Sequence, residues 1–108
     1  MFCFFLKNLQ LQLEFFDQYQ NYFDNPKQLD NVNTALLAFP ILIKAEAPFT
    51  RRQFQTYLEE RNIQTRVVFT GNILRQPMSK KFNYRTNGLG FPNADIIMEG
   101  GVLLIEKN

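Results

Sequence analysis

The chain has 108 residues and a mass of 12.8 kDa, the size of one small domain with a single modest core. Twelve Lys+Arg against ten Asp+Glu leave a net charge of +2, too little to define a polyanion-binding surface. With no histidine and one cysteine, Cys3, the chain excludes Ser–His and Cys–His catalysis, His-containing or Cys-rich metal sites and an internal disulfide framework.

Hydrophobic residues at 45% and charged residues at 20% place the sequence in the globular class. Its one bias is 12 Phe with no Trp. Phe is large and has no polar handle, so it belongs in cores and interfaces. Twelve exceed what so small a core needs, which predicts an apolar face turned toward a partner or a missing domain. The opening Met1-Phe2-Cys3-Phe4-Phe5-Leu6 is broken by Lys7 and Asn8 and lacks a basic leader, so no signal peptide is expected. No run reaches the length of a membrane span, and an unpaired cysteine suits a cytoplasmic protein.

The first predicted element is a helix over residues 2–23, with Phe2, Phe5, Leu6, Leu9, Leu13, Phe16 and Phe23 at helical spacing. A second stripe, Leu11, Phe15, Tyr19 and Tyr22, gives it a very wide apolar face. Leu9, Leu11 and Leu13 also alternate, which leaves a strand at the start as the alternative. Asp24-Asn25-Pro26 ends the helix, because Pro cannot continue it. Residues 27–34 are polar and read as a loop. Residues 35–44 read as a strand in which Pro40 removes a ladder donor, so an edge position or a bulge is expected.

The next helix carries the most explicit local signals. Thr50 and Gln53 form a capping box, and Phe49 with Phe54 form a hydrophobic staple. Phe54, Tyr57 and Leu58 make its buried face, and Asn62 is a left-handed stop after a helix over residues 51–61. A strand over residues 64–69 follows, with Val67 and Phe69 on one face, and Thr70-Gly71-Asn72 is a turn. Next come Ile73-Leu74-Arg75-Gln76-Pro77, a basic stretch with Phe82 and Tyr84, and a Gly-rich loop over residues 86–91. Asn93 is expected to cap a helix over residues 94–99, with Phe91 and Ile97 as a second staple. Gly100-Gly101 ends it, and residues 102–105 form a last short strand. The order α-β-α-β-α-β predicts an α+β fold, a small sheet with helices packed on one face, and by itself leaves strand direction open.

Few residues are candidates for chemistry. Glu59-Glu60 reads as a solvated helix face, and Cys3 as a small buried hydrophobe. Gly88-Leu89-Gly90 lacks the third glycine of a dinucleotide loop. Arg66, Arg75, Lys80, Lys81 and Arg85, interleaved with aromatics, suggest a weak nucleotide-sugar or nucleic-acid surface, although the low net charge argues against nucleic acid. Lys44, Lys80 and Lys81 lack the desolvated, phosphate-lined setting of a pyridoxal phosphate (PLP) lysine, so no cofactor is expected in this chain.

Three segments are distinctive: Ala47-Pro48-Phe49-Thr50-Arg51, then Arg61-Asn62-Ile63-Gln64-Thr65-Arg66-Val67-Val68-Phe69-Thr70-Gly71-Asn72-Ile73-Leu74-Arg75-Gln76-Pro77, then Phe91-Pro92-Asn93-Ala94-Asp95. In order and spacing they resemble the C-terminal small domain of the DegT/DnrJ/StrS-type PLP-dependent nucleotide-sugar aminotransferases. The closest branch is the CDP-4-keto-6-deoxyglucose-3-dehydrases of lipopolysaccharide O-antigen synthesis. The likeness spans residues 13–104. It implies a mainly antiparallel sheet and a single domain over residues 1–108, with the catalytic PLP domain absent. In the family that larger N-terminal domain carries PLP and the lysine, replaced by histidine in the dehydrase branch. Residues 1–12 and Ile105-Glu106-Lys107-Asn108 depart from the family pattern, so truncation at both ends is expected, with no catalysis by the isolated chain.

By the same resemblance Gly71, Asn72 and Arg75 lie at the mouth of the substrate site. Arg75 and Asn72 would meet a pyrophosphate or a sugar hydroxyl, and Gly71 would let the backbone come close. With only part of the wall present, nucleotide-sugar affinity is expected to be poor. The expected partners are a second copy or the missing PLP domain, met through the apolar face. A stand-alone protein-interaction domain is the alternative reading. Neither nucleic acid nor a membrane is expected as a partner.

Overall fold

The computed structural model describes residues 2–27, 29–32, 38–69 and 71–105, and residues 2–9 as backbone alone. Helix α1 spans Phe2–Asp17, and strand β1 is the pair Phe23–Asp24. Strand β2 is Phe39–Ile43, helix α2 Arg51–Glu59 and strand β3 Gln64–Val67. Two 3-10 turns, Ile73–Arg75 and Pro77–Lys81, lead to helix α3, Pro92–Gly100, and strand β4, Gly101–Ile105. The strands form one antiparallel sheet in the order β1-β2-β4-β3, an α+β fold.

The first helix ends six residues before its predicted limit. Asn25 Nδ2 donates to Asp17 Oδ1 at 2.8 Å and reaches Leu13 O at 3.4 Å, closing the chain back on the helix end. Turns through Tyr19 N to Phe16 O (3.0 Å) and Phe23 N to Tyr19 O (3.1 Å) then swing the backbone round. Phe23 and Asp24 pair with Ile43 and Leu42, and Phe23 enters the core. Burial of that ring and the sheet bonds outweigh another turn and a half of helix. Periodicity cannot register this, because Phe23 also fits the helical stripe.

Alternation builds the core. Phe39, Ile41 and Ile43 on β2 are buried while Pro40 and Leu42 are half-buried. The register places Phe39 opposite Leu104 and Ile41 opposite Val102, and β4 buries both partners. Phe16 of α1 stacks on Phe39 with ring centroids 5.6 Å apart, and meets Phe23 edge-on at 5.2 Å. Phe54 of α2 closes over Phe23 at 5.3 Å. Pro40 sits where β1 does not reach, since β1 pairs only with Leu42 and Ile43, so β2 is locally an edge there. Residues 35–37 of the predicted strand lie outside the described residues.

The capping signals around α2 hold, but Tyr57, expected on its buried face, is exposed, and the helix ends at Glu59 rather than at Arg61. Thr50 Oγ1 accepts from Gln53 N at 3.2 Å and Gln53 Oε1 accepts from Thr50 N at 2.9 Å. Phe49 stacks on Phe54 at 5.7 Å. Asn62 has φ +62, Asn62 N donates to Glu59 O at 3.1 Å and Ile63 N donates to Leu58 O at 3.0 Å. Those two bonds make a Schellman closure, which satisfies carbonyls that a helix end otherwise leaves open.

The third strand is shorter than predicted and ends at Val67. Thr65 is its buried residue, while Val67 and Phe69 are exposed. Thr65 is satisfied by α2: Glu59 Oε1 accepts from Thr65 N at 2.7 Å and from Thr65 Oγ1 at 3.0 Å, and Gln55 Nε2 donates to Thr65 Oγ1 at 3.2 Å. Glu59 is therefore a tether between helix and strand, and the reading of it as merely solvated is corrected.

Candidate substrate-facing segment

The three residues singled out by resemblance come together where β3 gives way to the segment leading to α3. Gly71 has φ +80, and a Cβ built there would stand 2.1 Å from Met98 Cγ on α3. Glycine is required on both counts: L-residues rarely hold that backbone, and α3 leaves no room for a side chain. Met98 is in turn fixed from α2, because the Arg51 guanidinium donates to its carbonyl.

Asn72 is 2% exposed, the most deeply buried polar side chain among the described residues. Its amide donates to Gly90 O (3.0 Å), Phe91 O (3.3 Å) and Asp95 Oδ1 (3.1 Å), and its Oδ1 accepts from Leu74 N at 3.0 Å. A buried amide needs such partners. One side chain thus caps the 3-10 turn and ties it to the loop before α3 and to the helix itself. A signal for half of this lies in the sequence: an Asn two residues before a turn commonly accepts from the backbone N–H ahead of it. The other half, a contact 23 residues away, has no local signature.

Arg75 grips the same helix. Its Nε donates to Asp95 Oδ1 at 3.0 Å and its Nη2 to Asp95 Oδ2 at 2.7 Å, the two-pronged geometry that guanidinium and carboxylate favour. Hydrogen bonding from Arg75 holds the Asp95 carboxyl below the usual carboxylate range, helped by Asn72 and opposed by desolvation. The bond to Asp95 likewise raises the Arg75 guanidinium. The Arg75 side chain stays 58% exposed, so it has an open side.

Helix α3 begins earlier than predicted. Its N-cap is Phe91 at φ +57 with Pro92 in the first turn, and Asn93 already lies inside the helix. Phe91 is therefore the cap itself, one residue past the position a staple uses. Asp95 sits in the first turn, where a negative charge complements the helix dipole. Gly101 begins β4, and a Cβ there would come within 3.1 Å of Ile97 Cγ2.

The remaining cations are spread out. Arg66 is exposed on β3, Lys80 and Lys81 lie exposed on the second 3-10 turn, and Arg85 lies in an exposed stretch beyond it. Arg75 is neutralised by Asp95, which weakens that set as a polyanion surface. The described lysines do not fit PLP. Lys44 pairs with Asp24 at 3.5 Å, and Lys27, Lys80 and Lys81 are exposed. None is desolvated among phosphate donors as a Schiff-base lysine must be. Among the described residues no group of three or more acids, histidines or cysteines can hold a metal. No helix there is long and apolar enough to cross a membrane.

An antiparallel four-stranded sheet under helices, with a polar latch on its outer segment, defines an α+β domain. Residues 7–105 match the DegT/DnrJ/EryC1/StrS aminotransferase family, and the chain belongs to it. It is 43% identical over 61 residues to a dTDP-4-dehydro-2,6-dideoxy-D-glucose 3-dehydratase of Saccharopolyspora spinosa, covering 56% of this chain and 13% of that protein. It is 33% identical over 73 residues to the lipopolysaccharide biosynthesis protein RfbH of Salmonella typhimurium, covering 68% of this chain and 16% of that protein. In fold it is similar to a GDP-4-keto-6-deoxymannose-3-dehydratase solved with a trapped PLP-glutamate geminal diamine. That superposition has a TM-score of 0.72 at 24% identity over 95% of this chain and 26% of that one. The Escherichia coli GDP-4-keto-6-deoxy-D-mannose-3-dehydratase with bound hydrated PLP gives 0.69 at 24%, over 94% and 26%. The chain thus spans about a sixth or less of the curated relatives it matches and about a quarter of the solved ones.

Proposed function

We propose that this chain is the C-terminal small domain of a PLP-dependent nucleotide-sugar dehydratase or aminotransferase of deoxysugar or lipopolysaccharide synthesis, and that it has no catalysis of its own. One observation carries the reading. The family match runs over nearly the whole chain, residues 7–105, yet the chain covers only 13–16% of its curated relatives. The misfit of its described lysines to PLP agrees with a cofactor held elsewhere.

In this reading the chain supplies a wall of the substrate site. Arg75, forked and half open, meets a phosphate oxygen of the nucleotide sugar, and the Gly71 backbone lies against the ligand. Asn72 has its amide committed within the chain, so it acts by holding that backbone in place. A partial wall cannot offset the entropy of ordering the ligand, so binding by the isolated chain is weak.

Amide NMR during addition of a nucleoside-diphosphate sugar tests this. Saturable shifts around Gly71 and Arg75, lost in Arg75→Ala, are expected. PLP added alone leaves the spectrum and the cofactor absorbance unchanged. Turnover of a nucleotide sugar by the isolated chain with PLP would overturn the non-catalytic reading.

A further inference from the structure

Asp95 closes a cationic stretch of the chain. Between Glu60 and Asp95 the sequence holds Arg61, Arg66, Arg75, Lys80, Lys81 and Arg85 and no acid. Outside residues 61–94 the balance reverses, with all 10 acids against the other half of the 12 cations. The net charge of +2 is therefore unevenly placed. An acid paired to one of those cations removes a charge from the stretch. Taken as a charge alone, Asp95 works against any anion received there. Its geometry gives it a different use.

Asp95 takes one particular edge of the Arg75 guanidinium. Nε donates to Oδ1 at 3.0 Å and Nη2 to Oδ2 at 2.7 Å. A guanidinium carries its N–H donors in one plane, one on Nε and two on each terminal nitrogen. The pairing consumes the Nε–H and one N–H of Nη2. At the far end an N–H of Nη1 and the other N–H of Nη2 run parallel, a second fork aimed away from the first. The side chain is 58% exposed, so that end is open.

The direction of this second fork is fixed from inside the domain. Asp95 Oδ1 also accepts from Asn72 Nδ2 at 3.1 Å. Asn72 is 2% exposed and donates to Gly90 O and Phe91 O as well. The backbone of Arg75 is tied to the same residue, with Arg75 N donating to Asn72 O at 2.9 Å. Both ends of a long, rotamer-rich side chain are thus referred to one buried residue. Ordering it beforehand lowers the entropy cost of gripping a ligand.

We propose that Asp95 is a positioning residue, holding Arg75 edge-on so that its Nη1–Nη2 end is a two-pronged seat for a diphosphate. The inference rests on the reading that Arg75 meets the phosphates of a nucleotide sugar, and adds what aims it. Because the Arg75–Asp95 pair is neutral, the seat selects by shape, for an oxyanion with two oxygens on one side. Charge and positioning make opposite predictions for Asp95→Asn. Removing a negative charge beside Arg75 tightens anion binding by Coulomb attraction alone. An amide has one acceptor oxygen and cannot close the first fork, so the guanidinium swings free and the seat is lost.

Inorganic pyrophosphate, titrated into the labelled chain at constant ionic strength, is the probe, read on the Arg75 Nε–H signal and the backbone amides. A saturable shift of that signal is expected, larger than chloride gives. Asp95→Asn weakens pyrophosphate binding about threefold. Arg75→Lys keeps the charge and also loses about threefold, because an ammonium presents no fork. Tighter or unchanged binding by Asp95→Asn would overturn the proposal, as would Arg75→Lys binding as well as the unsubstituted chain. The amide spectrum reports whether Asp95→Asn is folded, and if it is not, Arg75→Lys decides. A nucleoside-diphosphate sugar added in parallel separates this role from the wall reading. Shifts at Gly71 with none at Arg75 overturn the positioning role alone, and silence at both positions overturns both.

Discussion

The sheet face under α1 and α2 and the outer segment from Gly71 to Met98 are held by different forces. Beneath the helices lie Phe16, Phe23, Phe39, Ile41, Ile43, Val102 and Leu104, an apolar cluster closed by ring contacts. In the outer segment Ile73, Met78, Phe82, Tyr84 and Leu89 are all exposed, and one buried amide and one ion pair fix its path. Apolar burial is non-directional and tolerates small shifts. A hydrogen-bonded latch is directional and sets positions to within tenths of an ångström. That second kind of order holds Arg75 and Gly71 at fixed places.

The contrast can be broken from either side. The largest loss belongs to the core: Phe39→Ala leaves a cavity among Phe16, Ile41 and Leu104 and is expected to cost about 3–5 kcal/mol by denaturant titration. That is a large part of what a domain this size has. Asn72→Ala strands Leu74 N and Gly90 O and is expected to cost about 2–3 kcal/mol. In hydrogen exchange its effect is confined to the segment before α3, whereas Phe39→Ala raises exchange throughout the sheet. Gly71→Ala adds a strained φ and a contact with Met98, for about 1–3 kcal/mol by thermal melting. Thr50→Ala removes half of the capping box and lowers stability by about 1 kcal/mol.

The smallest effect is on pH. Asp95 is lowered in the folded chain, so its contribution is present above the unfolded value and lost as pH falls through the folded one. Melting followed down from neutrality should decline below about pH 4, and Asp95→Asn should flatten that decline. Phe39→Ala should leave its shape untouched.

The same division explains how much the sequence disclosed. Features closed within a few residues were legible: the Thr50–Gln53 box, the Phe49–Phe54 staple and the Asn62 stop. Features made by distant partners were not. The two residues of β1 are a strand only because Leu42 and Ile43 lie beside them. Phe91 begins α3 in a left-handed conformation that its side chain does not announce. Gly71, Asn72 and Arg75 were reached through family likeness, and their shared dependence on Asp95 and Met98 emerges only when α3 folds back over them.

Pro40 has a consequence for how copies of the chain can meet. Where β1 stops short, the outer side of β2 is the kind of bare ladder on which foreign strands add and fibres grow. A ring in place of an N–H interrupts that ladder after a single residue. Strand-by-strand growth is thereby discouraged along one border of the sheet.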